Sequence, residues 1–422
     1  MVVAADTVRS PWTLLPPLAS ITVASAGSGL FQTLLPLRLR ALGFTTNEVG
    51  FVLTCYSCGF IAGCFGAPVL IRSVGHVRAS SAFAAVAALT VLAFEWHPDM
   101  ALSMLVIFLT GIGGAGLAVV TESWLNELSA PEWRGRLLTG YVVLLAIAWA
   151  CGQSLGLMLD IEGSRLVIVA AGFYVAALIP VAAIDVTAPR LPETARLDVL
   201  RAFQVAPVGA ASCLFTGLVA ATFMAIGPLY GDALGLDTRQ TVLLMLASQA
   251  GVVLQWPLGL ASDRFDRRYM LLGMGLVLAA IGAAMIAGGT AHSFVAIAVL
   301  FASFVGIAEA FYPIGVAHAN DRADPAEYVM ISSSLLLIWA IGKMIGPIAG
   351  TVALTRSGPN GLIWYAIVLS ALFAAFAAWR IVTFARPVDE EREEFVAYPT
   401  SSPTILERIQ FRKLRRRKET PP

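Results

Sequence analysis

The stretch that decides the fold occurs twice in the chain. Residues 36–46 read PLRLRALGFTT, and residues 228–238, which lie 192 positions further on, read PLYGDALGLDT. Two further pairs of motifs lie 194 positions apart, namely Asn126-x4-Pro131 with Asn320-x4-Pro325, and Gly152-x3-Gly156 with Gly346-x3-Gly350. A repeat with such a long period predicts two related structural units in one chain.

The composition indicates that lipid surrounds most of the protein. Of the 422 residues, 58% are hydrophobic and only 13% are charged, and the mean hydropathy is +0.79. A soluble domain has about a quarter of its residues charged. A soluble fold of this size could therefore not keep so much apolar surface away from water.

The apolar runs predict an all-α polytopic membrane protein with twelve transmembrane helices in two pseudo-symmetric six-helix halves. A helix needs about 20 mostly apolar residues to cross the hydrocarbon layer. The predicted spans are residues 12–36, 48–70, 80–95, 101–123, 137–159, 165–184, 205–229, 240–261, 269–289, 293–317, 329–353 and 362–383. The predicted units are an N-terminal half (1–184), a cytoplasmic linker (185–204), a C-terminal half (205–384) and a charged cytoplasmic tail (385–422).

The arginines predict the orientation, since positive residues collect on the cytoplasmic side of a membrane. If both termini are cytoplasmic, the inner arginines before the tail are 9, 72, 78, 134, 136, 190, 196, 201, 264, 267, 268 and 322. The outer arginines are then 38, 40, 165, 239 and 356. In the tail, the basic run 412–418 could contact anionic lipid or could simply be a solvated positive segment.

One loop resembles the signature of a known family. Residues 259–268 read GLASDRFDRR, which resembles the G-x-x-x-D-R-x-G-R-R loop of the major facilitator superfamily, with Asp266 in place of the inner glycine. Residues 122–126, 134–136, 312–314 and 317–321 (ESWLN, RGR, YPI and AHAND) look like a poorly characterised bacterial branch of that superfamily. The resemblance implies a secondary transporter of the inner membrane that moves a small organic solute by alternating access. We expect a monomer, because the two halves already form the pathway within one chain.

The resemblance also implies a cytoplasmic gate formed by such loops, and one of the two loops in this sequence departs from the signature. The corresponding loop of the first half, residues 72–78, reads RSVGHVR and has an arginine where the signature has aspartate. We therefore expect one strong inner latch, in which Asp263 faces the start of the fifth span near Arg136. The expected gate residues are Asp263, Arg264, Arg267, Arg268, Arg134, Arg136, Asn320 and Asp321.

Three ionisable residues lie within predicted spans, where they are costly and usually functional. Glu309 could carry a proton or bind substrate, or it could be a structural partner of Lys343 on the next helix. Lys343 could attract a substrate anion or pair with Glu309. Glu122, near the inner end of the fourth span, is expected to join a charge network with Arg134 and Arg136 rather than to carry protons.

Polar and aromatic residues in the spans could line a central cavity. These are Gln32, Gln153, Tyr312, Trp339 and Trp149, and each could instead serve packing between helices. The sequence contains no phosphate loop, zinc-ligand spacing or nucleophile elbow, so we expect neither a cofactor nor an enzymatic reaction, nor a nucleic-acid partner.

The sequence analysis thus favours a proton-coupled secondary transporter and leaves two alternatives open. One is an uncoupled facilitator, in which Glu309 would be structural. The other is a non-transporting membrane receptor or scaffold of the same fold that signals through its tail. The identity of the solute does not follow from a fold that carries many functions.

Overall fold

The computed structural model describes residues 14–96, 99–128, 134–159, 163–182, 197–288, 293–324 and 327–383, and within these ranges the chain contains helices and turns but no strand. The first six spanning helices are α1 (Leu15–Ala41), α2 (Thr46–Val74), α3 (His76–Ala93), α4 (Met100–Leu128), α5 (Arg134–Leu155) and α6 (Arg165–Ala182). The other six are α7 (Pro207–Ala233), α8 (Thr238–Arg264), α9 (Arg267–Gly288), α10 (Phe294–Asn320), α11 (328–356) and α12 (359–383).

The twelve predicted spans are confirmed in number and kind. Ten helical stretches of the described chain are long and apolar enough to cross a membrane, and one of them, Met330–Thr383, contains most of α11 and all of α12. In α5 the apolar stretch is shorter, Gly140–Leu155. The ends differ from prediction by several residues, as for α3, which begins at His76 rather than at residue 80.

The repeated segment folds in the same way in both halves. Each copy ends a helix and then turns at a glycine with positive φ, which is +93° at Gly43 and +75° at Gly235. Glycine accepts this conformation because it has no Cβ. The next helix begins with a capping box in each half, formed by Thr45 with Glu48 and by Asp237 with Gln240. The sequence repeat is therefore also a structural repeat.

Prolines interrupt two of the spanning helices. The first part of α6 ends at Ala176, four residues before Pro180, and α8 contains a 3-10 turn at Val252–Leu254, just before Pro257. The proline ring clashes with the carbonyl group four residues earlier, which breaks the regular helix there.

Glycines let equivalent helices approach closely within each half. A Cβ at Gly29 of α1 would overlap the backbone oxygen of Trp149 in α5, and one at Gly217 of α7 would overlap that of Trp339 in α11. The glycine pairs of the repeat lie in the same interfaces, because Gly152 faces Ala26 of α1 and Gly346 faces α7. Such small residues permit tight packing of membrane helices.

The halves meet along α2 with α11, α5 with α8, and α1 with α7. We call the face at residues 74–76, 264–267, 320–324 and 327–328 the arginine face, and the face at residues 41–46, 233–238 and 356–359 the opposite face. Near the opposite face, Thr355 donates a hydrogen bond of 3.0 Å to Asn47. Deeper in the protein, the Thr54 hydroxyl donates to the backbone oxygen of Met344 at 3.1 Å.

The last part of the expected linker is helical and packs on the second half. Residues Val199–Val205 form a short helix, in which the Arg201 guanidinium donates two hydrogen bonds of 3.0 Å to Glu327. These bonds raise the pKa of Arg201 above its ordinary value. The first part of the linker, 185–196, and the tail, 385–422, lie outside the described residues.

Candidate functional site

Aromatic rings from both halves surround the side chain of Lys343 in α11. Its Nζ lies 4.8 Å from the ring centre of Phe60 and 5.6 Å from that of Tyr56, both in α2. It lies 5.2 Å from the ring of Trp339, one helical turn away in α11. We call Tyr56, Phe60 and Trp339 the aromatic box. An ammonium group is attracted to the face of such rings by about 0.5–2 kcal/mol per contact.

Lys343 lies in the middle of the membrane-spanning region. It is fifteen residues from the start of the helix at Tyr328, or about 22 Å at a rise of about 1.5 Å per residue. Within the described chain, no acidic group lies within 4.0 Å of its ammonium group and no hydrogen bond involves it. The Lys343 residue is partly exposed.

Glu309 lies in α10, deeper than the sequence indicated. The helix continues to Asn320, eleven residues beyond Glu309, which places the residue about 16 Å from the arginine face rather than about 12 Å. Its charge interacts with that of Lys343, but the two do not form an ion pair within 4.0 Å in the described chain. The interpretation of Glu309 as a fixed structural partner of Lys343 therefore lacks the contact it needs.

Glu122 is fully buried in α4. The Tyr141 hydroxyl of α5 donates a hydrogen bond of 3.5 Å to Oε1 of Glu122. The side chains of Arg134 and Arg136 lie outside the described part, and the expected network with Glu122 stays a prediction.

The five polar and aromatic candidates fall into two groups. Gln32 of α1 donates a 2.9 Å hydrogen bond to the Tyr56 hydroxyl, and the Tyr312 ring lies 6.0 Å from that of Trp339. The structure thus brings Gln32, Tyr312 and Trp339 together with Lys343. Trp149 and Gln153 lie instead on α5, which packs on α1.

Two buried polar atoms on α5 have no partner within the described chain. These are Nε1 of Trp149 and Oε1 of Gln153, which are one helical turn apart. A buried donor or acceptor without a hydrogen bond costs about 1–3 kcal/mol. The role of Trp149 and Gln153 as residues that line a central cavity stays a prediction.

At the arginine face of the second half, Arg267 holds a network of ion pairs. Its side chain is almost fully buried, and its Nε donates to Asp321 at 2.7 Å. Its Nη2 lies 3.2 Å from Asp263, and its Nη1 donates to Ser262 at 3.1 Å. Ser262 and Asp263 belong to α8 and Arg267 begins α9, whereas Asp321 directly follows α10, so the network fixes this turn to the end of α10.

The other predicted gate residues lie around this network. Arg268 pairs with Asp266 at 2.8 Å. Burial acts to raise the pKa of the Asp266 carboxyl, but the hydrogen bonds from Arg268 outweigh it and hold the pKa below its usual range. Arg264 is exposed, and Asn320 is buried with a side-chain amide that has no partner within the described residues. Contact of Asp263 with the start of α5 stays a prediction.

The equivalent turn of the first half is built around His76, the first residue of α3. Nε2 of the buried His76 lies 3.1 Å from the Ser123 hydroxyl. The His76 ring stacks on the ring of Trp124, with 5.4 Å between the ring centres. His76, Trp124, Tyr56 and Phe60 were not singled out in the sequence. The spacing of Tyr56 and Phe60 on one face of α2 was a visible signal, but their approach to Lys343 in the other half was not.

The full sequence matches a family profile along most of its length. Residues 18–259 and 214–419 match the Major Facilitator Superfamily. The chain belongs to the major facilitator superfamily. It is therefore a multi-pass membrane transporter of the kind that carries small solutes, and not an enzyme.

Curated relatives of this superfamily extend the match without naming a solute. The chain is 27% identical over 341 residues to the uncharacterized MFS-type transporter YcaD of Escherichia fergusonii, covering 79% of this chain and 86% of the relative. It is also 27% identical over 362 residues to YcaD of Escherichia coli O45:K1 (strain S88), covering 84% of this chain and 91% of the relative.

Solved structures of superfamily members share the fold. The nucleoside transporter NupG matches with a TM-score of 0.70 and 13% identity, over 88% of this chain and 99% of NupG. An inward-facing, occupied bacterial homolog of the human lysosomal transporter Spinster matches with a TM-score of 0.68 and 15% identity, over 88% of this chain and 97% of the homolog. A D-xylose-proton symporter matches with a TM-score of 0.63 and 15% identity, over 87% of this chain and 96% of the symporter. At such identities the likeness concerns the fold alone.

Proposed function

We propose that this transporter moves a small organic solute across a bacterial inner membrane by alternating access and couples the movement to protons through Glu309. The observation that carries the proposal is a carboxyl group at mid-membrane depth with no ion pair within 4.0 Å in the described chain. Its charge interacts with that of Lys343. A proton that enters or leaves Glu309 therefore changes the field at Lys343 and in the aromatic box.

The proposed movement is a rocking of the two halves, residues 1–184 and 205–384, about a central solute site. The repeated scaffold supports it, because repeat-related halves commonly place the site at their interface. Lys343 and its box span that interface, since Lys343 and Trp339 belong to one half and Tyr56 and Phe60 to the other. A change at this site can therefore alter how the halves pack.

We propose that the arginine face is cytoplasmic and contains the inner gate. The excess of arginine there supports this orientation. On the opposite face, the buried Arg38 is paired with Glu95 at 3.5 Å, so one of the few arginines on that side is neutralised. The gate would consist of the Arg267 network with Asp263 facing α5.

The proposed partners beyond the solute and protons are lipids. The basic run 412–418 supports contact of the tail with anionic lipid, because each lysine or arginine near such a surface contributes about 1 kcal/mol. A monomer is the proposed working unit, because both halves of the site belong to one chain.

A thermal-stability screen of the purified protein tests the proposal. We expect one class of solute to stabilise the wild type, with a pH dependence that is lost in Glu309→Gln. A ligand at 100 times its dissociation constant adds about 2.7 kcal/mol to the free energy of unfolding. A stabilising solute whose effect has the same pH dependence in both proteins would contradict coupling through Glu309 and support an uncoupled facilitator.

Deletion of the tail separates transport from signalling. We expect a protein lacking residues 386–422 to retain solute exchange in proteoliposomes at close to the wild-type rate, since the site lies entirely in residues 15–383. Failure of both the full chain and the shortened protein to exchange any stabilising solute would favour the receptor or scaffold.

A further inference from the structure

We propose that the solute is a small organic anion with a flat apolar body, whose carboxylate or phosphate binds Lys343 while the body lies against the aromatic box. This inference rests on the proposed transport function and names its substrate class. Lys343 is the only lysine before residue 413, and it occupies the interface between the halves.

The first argument is the unsatisfied chemistry of the ammonium group. It has three N–H donors, and in the described chain none of them has a carboxylate or hydrogen-bond acceptor. Aromatic rings attract the positive charge but do not replace three hydrogen-bonded oxygens. A carboxylate or phosphate supplies such oxygens, and hydrogen bonds between charged partners are about twice as strong as neutral ones.

The second argument is the shape and polarity of the surroundings. Three rings lie within 5.6 Å of Nζ, and a fourth, that of Tyr312, lies 6.0 Å from Trp339. Such surfaces favour stacking against a planar apolar group. Within the box, the polar groups are the Tyr56 hydroxyl, with Gln32 bound to it at 2.9 Å, and the indole N–H of Trp339.

The third argument is charge balance in the membrane interior. With a singly charged anion, such as a carboxylate or a phosphate monoanion, on Lys343 and a proton on Glu309, the loaded site has a net charge of zero. When anion and proton both leave, Lys343 and an ionised Glu309 again sum to zero. Because net charge at this depth is costly, symport of one anion with one proton keeps both forms of the site neutral.

Matched pairs of ligands test the charge requirement on the purified full-length protein. Benzoate and phenyl phosphate represent the two anion chemistries, benzamide is the neutral match of benzoate, and cyclohexanecarboxylate lacks the flat ring. We expect benzoate or phenyl phosphate to stabilise the protein at a concentration at least 100-fold lower than the concentration of benzamide that has the same effect. Whichever anion is stronger identifies the headgroup, and cyclohexanecarboxylate should bind at least threefold more weakly than benzoate.

Variants at Lys343 test the assigned residue. Lys343→Met should weaken binding of the preferred anion at least 100-fold, whereas Lys343→Arg should retain it within about tenfold because the charge remains. Trp149→Met changes the equivalent position of the other half and should have less effect than Lys343→Met. Because the ligand pairs are compared on the wild type, the inference stays falsifiable even if a variant misfolds.

Three results would overturn the inference. They are equal binding of benzamide and benzoate, unchanged anion binding by Lys343→Met, and tighter binding of a cation such as tetramethylammonium than of either anion. Transport of a neutral or cationic solute with a pH dependence that requires Glu309 would overturn the substrate class and leave the proposed function intact. Loss of all solute exchange would instead contradict the proposed function.

Discussion

The two halves of this transporter share a scaffold but differ in where they place charge. Gly43 and Gly235 turn the chain in the same way, and Gly29 and Gly217 make close contacts within the corresponding helix pairs α1 with α5 and α7 with α11. Position 149 of α5 corresponds to position 343 of α11, 194 residues later, yet the first is tryptophan and the second lysine.

The difference extends to the arginine face. The second half fixes its turn with buried Arg267 and two aspartates, whereas the first half uses a histidine stacked on tryptophan. We propose that the symmetric part of the sequence builds the fold and that the asymmetric part holds the chemistry. Among the described residues, Glu122 is a buried ionisable group within a spanning helix of the first half.

The largest expected effect is the loss of Arg267. Replacing it with alanine leaves Asp321 and Asp263 without their buried partner, and breaking such a pair costs about 3–5 kcal/mol. His76→Ala in the first half removes a neutral stack and should cost less, about 1–2 kcal/mol. Thermal unfolding in detergent measures both. Equal losses would contradict the proposed difference between the two turns.

The second largest expected loss of stability comes from substituting the glycines of the shared scaffold. Gly217→Ala and Gly29→Ala should each destabilise the protein by about 1–3 kcal/mol, since the added methyl group forces packed helices apart. Gly273→Ala is the matched control, because a Cβ there meets nothing within 4 Å. If only one of the two interfaces were sensitive, the halves would not be equivalent scaffolds.

The smallest expected change in stability is at Lys343. An ammonium group at mid-membrane costs about 2.5–3.5 kcal/mol on insertion scales, and its cation–π contacts offset part of this cost. Lys343→Met should therefore stabilise the fold by about 1 kcal/mol while transport is lost, whereas Trp149→Met should destabilise it. A clear destabilisation by Lys343→Met would indicate a structural lysine.

The repeat and the apolar runs made the scaffold predictable, because helix length and close packing depend on local composition. The lone carboxyl of Glu309 and the ammonium of Lys343 were recognisable for the same reason, since each stands out in an apolar run. The contact of Lys343 with Tyr56 and Phe60 was not predictable, because it joins helices 283 or more residues apart. Nor could the sequence show that Arg267, rather than Asp263 alone, is the centre of the ion pairs at the turn between α8 and α9.

The central claim is that Glu309 carries the proton that accompanies the solute. We would reconstitute wild type and Glu309→Gln in proteoliposomes that contain a pH-sensitive dye and add the stabilising solute identified by the screen. The account predicts that the solute drives proton movement in the wild type and none in Glu309→Gln, with solute exchange retained in both. Proton movement at the wild-type rate in Glu309→Gln would contradict it.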